Sequence, residues 1–340
     1  MALDTRVDFN PYSLVDSTLI FHPAFQRALD RIDQCFKAME NATDPVCIAI
    51  VGESRTGKSR ALEHFELEHR SERLADGLIV PFARVRVPSK PTVKGLAELM
   101  LHRLGDPLYE KGTENTKTIR LKKLLKVVRT RVLALDEFQH FYDKTTQRVQ
   151  HHVADWLKVI VDEAQVGLVV TGLPNCLSVI RQNEQLTGRF LAPIRLQRMD
   201  WMNEDDRKNF RAILRGMQES LAFFDMPSFD SDEMAFRFYC ATGGLIGYLV
   251  KILKQAVCNA ADVDARSISL DDLAVAFKES VIAWESSNNP NPFNSDFSAE
   301  PSAESLAMSA AIGIPQLEES APRQTKKASP PKVREVLSAH

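Results

Sequence analysis

Residues 52–59, Gly52-Glu53-Ser54-Arg55-Thr56-Gly57-Lys58-Ser59, lie directly between an apolar run at 46–51 and a helical run at 59–69. The pattern G-x-x-x-x-G-K-[ST] in a strand–loop–helix setting suits one kind of chemistry. The glycines let the backbone wrap closely around an anion, and the free N–H groups at the helix start donate to its oxygens. Lys58 then supplies positive charge at the β- and γ-phosphates of a nucleotide, and the Ser59 hydroxyl is a ligand for Mg²⁺. Gly52, Glu53, Ser54, Arg55, Thr56, Gly57, Lys58, Ser59 and Arg60 are the candidate cofactor-binding residues.

A second signal follows the apolar run 132–135, which ends in Asp136-Glu137-Phe138-Gln139-His140. A carboxylate at the end of a central strand can hold the metal, and its neighbour can polarise an attacking water. Asp136 is thus the metal candidate and Glu137 the general base. A third apolar run ends in Val169-Val170-Thr171-Gly172, and the Thr171 hydroxyl is a candidate for orienting that water, against the alternative of an ordinary strand-end threonine. Arg189, just before the last β-type run, has the chemistry to neutralise a transferring phosphoryl group in cis or from a neighbouring subunit.

These residues need strand ends and helix starts to position them. Short β-type runs occur at 46–51, 78–87, 132–135, 166–171 and 194–196, most of them separated by helical patterns, as in a parallel α/β sheet. The third and fourth are almost wholly apolar, which predicts interior strands covered on both faces. From about residue 201 only helical patterns remain, at 204–219, 231–241, 245–261 and 269–286, each opening near a capping residue such as Asn203 or Ser269. The expected organisation is an N-terminal extension (1–20), an α/β nucleotide-binding domain (21–200), a helical lid (201–286) and a flexible Asn/Pro/Ser-rich tail (287–340).

Composition sets outer limits. The chain has 340 residues, 44% hydrophobic and 26% charged, with 43 Lys and Arg against 45 Asp and Glu, so no global basic field points to nucleic acid and any such surface is local. Five cysteines without a C-x-x-C pair argue against a disulfide framework or zinc knuckle. No apolar run approaches the ~18 residues needed to span a bilayer, so a cytoplasmic protein without a membrane partner is expected.

In order and spacing, the P-loop, the DEFQH after the third strand, the PSKPT after the second, VVTGLP and QLTGRF before the fifth resemble AAA+ ATPases, and among them the TnsC and TniB regulators of DNA transposition, over residues 18–285. The resemblance implies an AAA+ P-loop NTPase with sheet order 5-1-4-3-2 and a C-terminal helical lid. It implies ATP and Mg²⁺ held between adjacent subunits with Arg189 as a finger in trans, and homo-oligomers, rings or filaments, wound on double-stranded DNA. Such proteins link a TniQ-like target selector to a transposase, and hydrolysis at Glu137 releases the assembly. Phe21-His22-Pro23 lies where relatives flank the adenine. The lid stretch 242–251 lacks the usual basic residue: Ile246, Gly247 or Val250 stands there and Lys251 is out of register, which puts phosphate sensing by the lid in doubt and implies slow hydrolysis.

Backbone contacts to DNA are expected at Lys90, Thr92 and Lys94 in the loop 88–94, then at Lys117 and Arg120 on a basic helix that reads equally well as a solvated face. No base-reading helix or zinc finger appears, so binding is expected to be sequence-nonspecific and salt-sensitive. His151 and His152 read as a surface pair, and Trp156, Trp201 and Trp284 as packing residues. The tail, with Phe293, Phe297, Lys326, Lys327, Lys332 and Arg334, is a docking peptide or an inert linker. The alternative function is a signalling or chaperone-like P-loop ATPase that acts on protein and ignores DNA; a GTPase is disfavoured because no N-K-x-D motif follows the fourth strand.

Overall fold

The computed structural model describes residues 14–15, 18–41, 44–75, 77–281 and 290–313. After α1 (Pro23–Ala38) the chain enters β1 (Cys47–Gly52), turns through the P-loop into α2 (Lys58–Glu68), and makes a hairpin of β2 (Glu72–Leu74) and β3 (Gly77–Ile79). Next come β4 (Phe82–Arg86), α3 (Val93–Arg103), α4 (Glu114–Val127) and β5 (Val132–Asp136). The short α5 (His140–Asp143) and long α6 (Gln147–Ala164) lead to β6 (Gly167–Gly172), then α7 (Leu177–Ile180), α8 (Glu184–Arg189) and β7 (Ile194–Leu196).

The five-stranded sheet is parallel throughout, in the order β4-β5-β6-β1-β7. Counting the unanticipated hairpin makes this 4-5-6-1-7; with β2 and β3 left out of the count, the five strands read 5-1-4-3-2 from the β7 edge. Side chains alternate between the faces, as the two-residue period of a strand requires. Cys47, Ala49 and Val51 join the core beneath α3, α4 and α6, while Ile48 and Ile50 join the core beneath α1 and α2. Every residue of β1, β5 and β6 is buried, which is why their sequences are near-continuous apolar runs.

One expected strand is corrected. The run 78–87 breaks at Val80-Pro81 into β3, which pairs only with β2, and β4, which enters the main sheet. Pro81 has no N–H to give a ladder; its carbonyl instead accepts from Arg131 N at 2.9 Å and Val132 N at 3.2 Å, which sets the register of β4 on β5.

The helices α9 (Glu204–Ser220), α10 (Asp232–Thr242), α11 (Ile246–Asp262) and α12 (Leu270–Ser280) enclose a separate aromatic-rich core. Three starts are capped as expected, with Asn203 accepting from Asp205 N and Asp206 N, Ser231 from Met234 N, and Ser269 in a capping box with Asp272, whereas α11 opens on Leu245 without a side-chain cap. The last helix ends at Ser280, not 286, and Trp284 lies outside the described residues. The ends of the expected lid are also corrected. Val15, within the supposed N-terminal extension, is buried in this core, and Ile20 packs where Gly216 leaves room on α9.

The supposed tail is folded from 290 to 313. Phe293 is fully buried against Phe238 and Phe277, Asn291 donates to Ala274 O at 2.9 Å, and the buried Arg237 donates to Pro292 O at 2.7 Å and Asn294 O at 2.8 Å. The segment ends in α13 (Ala303–Ala311), which lies against α10. Lys326, Lys327, Lys332 and Arg334 fall outside the described residues. No single described helix is long and apolar enough to cross a membrane.

The folded segment has a direct test. Phe293→Ala should lower unfolding free energy by about 3–5 kcal/mol, the cost of removing a buried phenylalanine, measured by urea denaturation; an unchanged midpoint would restore the reading of 290–313 as a tail.

Candidate functional site

Gly52 is needed because β1 meets β7 there: a Cβ on it would stand 1.9 Å from Leu196 O. Arg55 (φ +68°) and Gly57 (φ +95°) both take left-handed backbone, curling the loop so that its N–H groups and the α2 N-terminus face one concavity. Thr56 pins the curl by donating to Glu53 O at 2.9 Å.

Lys58 is 8% exposed, and its ammonium donates to Gly52 O at 2.9 Å and Glu53 O at 2.5 Å. Both acceptors are neutral. Burial lowers its pKa from the usual lysine value, while the nearby Glu137 and Asp136 charges pull it back up.

Asp136, at the end of β5, is 3% exposed and held in one orientation. Its Oδ1 accepts from the Thr171 hydroxyl at 2.6 Å and from Glu137 N at 3.0 Å, and Arg84 Nη1 stands 3.9 Å from Oδ2. The single Thr171 proton is therefore committed to Asp136, which leaves the hydroxyl only its lone pairs to offer a water. Glu137 has φ +59° and turns its half-buried side chain into the cavity. There Gln139 Nε2 donates to Glu137 Oε2, Gln139 Oε1 accepts from Leu173 N at 3.2 Å, and Arg86 Nη2 lies 3.9 Å from Glu137 Oε1. Gly172 permits this: a Cβ there would meet Gln139 Oε1 at 2.6 Å. Gln139 and Arg86 were not singled out from sequence; the signal for Gln139 was its place two residues after Glu137 at a strand end.

The cavity above these groups measures about 820 Å³, within the usual range of small-molecule sites. The P-loop residues 54–60 line it, Ser59 and Arg60 included, with Glu137 and Gln139 facing them. The rest of its lining, Leu19, Ile20 and His22 with Ile213, Met217 and Val250 of the lid, makes a mainly apolar slot. Of the Phe21-His22-Pro23 stretch, His22 lines the slot, and burial lowers its pKa from the usual histidine value; Phe21 packs edge-on against Phe25 and His64 outside it. The lid meets the P-loop through backbone: Gly247 N donates to Arg55 O at 2.9 Å, and the Arg55 guanidinium sits 4.5 Å over the Tyr248 ring. Among the described residues, the lid groups that line the cavity are apolar or glycine, in keeping with the missing basic residue at 246, 247 and 250.

The other expected residues divide. Lys90 and Lys94 are exposed, and Thr92 caps α3 by accepting from Gly95 N at 3.0 Å. Lys117 is corrected. It is fully buried, donating to Tyr109 O at 2.6 Å and pairing with Glu98 at 3.1 Å. Arg120 is likewise spent inside the chain, on Asp106 at 2.7 Å, Leu108 O at 2.7 Å and Lys111 O at 3.2 Å. A helical-wheel argument placed both outward, but the loop 105–112 folds over that face and takes their donors. Arg189 pairs with Asp162 at 2.6 Å and next to it Phe190 bridges Cys47, at the opposite end of β1 from the P-loop. The five strand steps from Cys47 to Gly52 amount to about 17 Å, so Arg189 does not serve the cavity of its own chain. His152 pairs with Glu114 at 2.8 Å, and Trp156 and Trp201 are buried packing residues. All five cysteines are buried and none is in a disulfide.

A model of the bacterial TniB protein family matches residues 13–201. No curated protein matches the chain. Among solved structures, Cdc6p from Pyrobaculum aerophilum is similar with a TM-score of 0.59 at 14% identity, covering 79% of this chain and 71% of that one. The ORC2 protein of Aeropyrum pernix, solved as ADPNP–ADP complexes, gives 0.57 at 16% identity, covering 80% and 72%. The ORC1 protein of Aeropyrum pernix, solved in complex with DNA, gives 0.55 at 14%, covering 79% and 69%. At these identities the shared property is the AAA+ P-loop fold.

The reassignment of the basic helix is testable by substitution. Lys117→Ala should cost about 2 kcal/mol of stability, because Glu98 and the Tyr109 carbonyl lose their partner, and should leave any duplex affinity of the folded protein unchanged; a normal unfolding curve with weakened duplex binding would return Lys117 to the surface.

Proposed function

The chain belongs to the bacterial TniB family, and from that premise we propose that it is an ATP-dependent regulator of DNA transposition that assembles on double-stranded DNA without reading sequence. The observation that carries the ATP part is the buried Lys58 ammonium, which donates to the Gly52 and Glu53 carbonyls beside a cavity lined by P-loop residues 54–60. A polyphosphate on this loop is a partner of matching charge for that ammonium. The cavity with its mainly apolar slot fits a nucleoside triphosphate, phosphates on the loop and base in the slot.

The donor set fits Mg²⁺: a serine hydroxyl at the start of α2 and a carboxylate fixed by two hydrogen bonds are the hard oxygen ligands this ion takes. Ser59 and Asp136 would hold it, and the ion would neutralise charge on the phosphate oxygens. Glu137 is the base. It takes a proton from the attacking water, and the hydrogen bond from Gln139 aims its carboxylate at the cavity. Arg189 acts in trans, after exchanging Asp162 for a neighbour's phosphate; its place far from its own P-loop supports that reading.

For DNA, the exposed Lys90 and Lys94 and the Thr92 hydroxyl at the start of α3 supply contacts to phosphates. Burial of Lys117 removes one expected contact and favours, to that extent, the second reading of a protein-directed ATPase, while the part-exposed Arg120 keeps its place among the DNA candidates. The family premise supports the DNA reading, with a TniQ-like selector and a transposase as the partners.

Sedimentation and negative-stain imaging with duplex DNA, comparing ATP with Mg²⁺, a non-hydrolysable analogue and no nucleotide, separate the two. Nucleotide-dependent assemblies on DNA are expected, persisting in Glu137→Gln and absent in Lys58→Ala. A protein that binds ATP yet ignores duplex at low salt, with Lys90→Ala/Lys94→Ala unchanged, supports the protein-directed reading instead. For Arg189→Ala, lost hydrolysis should be partly restored by mixing with Lys58→Ala subunits, since each brings the group the other lacks; no restoration would make Arg189 a structural partner of Asp162.

A further inference from the structure

Arg198, two residues beyond β7, belongs to no motif, yet it is the most heavily bonded guanidinium beside the cavity. Its Nε lies 3.1 and 3.0 Å from the two carboxylate oxygens of Glu53, and Nη2 also donates to that carboxylate. The same group donates to Ala310 O at 3.0 Å through Nη1 and to Ile312 O at 3.1 Å through Nη2, with Gly243 O at 3.5 Å. One side chain therefore joins the second residue of the P-loop, the turn between α10 and α11, and the end of α13.

The surroundings are shaped for this junction. Gly243 (φ +59°) and Gly244 (φ +74°) form a left-handed turn, on which a Cβ would meet Ser309 O at 2.4 Å and Met199 O at 2.1 Å respectively. The glycine pair thus lets the C-terminal segment and the residue after Arg198 close on the turn from two sides. Glu53 matters because its carbonyl accepts from both Lys58 Nζ and Thr56 Oγ1. Whatever fixes the Glu53 side chain also fixes the carbonyl that aims Lys58.

We propose that Arg198 is a positioning residue for the P-loop, and that the C-terminal segment 290–313 is the strap that holds Arg198 in place, so that nucleotide affinity depends on a part of the chain remote in sequence from every nucleotide motif. The proposal rests on the nucleotide reading of the cavity. Arg198 does not touch the reacting atoms: it acts through Glu53 on Lys58, and so governs phosphate binding and not the chemical step. Displacement of 303–312 by a partner strips Arg198 of its carbonyl acceptors and loosens the P-loop.

The test uses the full chain and ADP as the probe, with Arg198→Ala, Arg198→Lys and Glu53→Gln. Arg198→Ala should weaken ADP about tenfold, the effect of one charge-assisted pair, with kcat at saturating ATP changed no more than about twofold. In nucleotide-free protein, amide hydrogen exchange across 303–312 should speed up in Arg198→Ala and stay slow in Glu53→Gln, which should show the same ADP defect. Arg198→Lys, able to pair with Glu53 but not to fork, should recover part of the affinity and leave 303–312 fast. Unchanged ADP affinity in both Arg198→Ala and Glu53→Gln, or unchanged exchange in Arg198→Ala, overturns the proposal. Should Arg198→Ala fail to fold, Glu53→Gln carries the affinity arm and Arg198→Lys the exchange arm. A folded wild-type chain that takes neither ADP nor ATP refutes the nucleotide reading itself, an outcome distinct from a wild type that binds and variants that bind equally well.

Discussion

A buried ammonium whose partners are two uncharged carbonyls is costly unless something anionic arrives, and Lys58 is in that position. Much of the architecture answers to it. Gly52 and Gly57 allow the curl that brings two carbonyls to one amine, β7 comes close enough to forbid a side chain at Gly52, and the lid closes on the loop through Gly247 and Arg55. Asp136 and Glu137 stand near enough to raise the lysine pKa against its burial.

Opposite the loop, the ends of β5 and β6 form a second unit. Thr171 spends its only proton on Asp136, the backbone of Glu137 adds a second hydrogen bond to the same oxygen, and Gln139 crosses Gly172 to link Glu137 with Leu173. Two carboxylates in adjacent positions thus have different surroundings. Asp136 is buried and immobilised, whereas Glu137, forced by its left-handed backbone to turn away, reaches the cavity.

The parallel sheet was legible because its interior strands are almost wholly apolar, and three of the four lid helices because they open on a capping residue. Local pattern also located the P-loop and the strand-end carboxylates, since strand, turn and helix agree over a few residues. What local pattern could not show was which polar groups are used up by residues distant in sequence. The periodicity of α4 placed Lys117 and Arg120 outward, but the loop 105–112 folds over them. The Asn/Pro-rich composition after 287 argued for a tail, yet Phe293 and the bonds from Arg237 anchor it. Arg198 gave no signal, because its acceptors are Glu53, 145 residues away, and the carbonyls of Ala310 and Ile312, 112 and 114 residues away.

The measurement that bears most directly on this account is a calorimetric titration of ATP with Mg²⁺ into the full wild-type chain, with folding checked by circular dichroism on the same sample. Saturable binding at one site per chain is the predicted result, since one P-loop and its buried ammonium line the cavity. A folded chain that takes up no ATP to millimolar concentration would contradict it, and would mean that the Lys58 ammonium is satisfied by its two carbonyls alone.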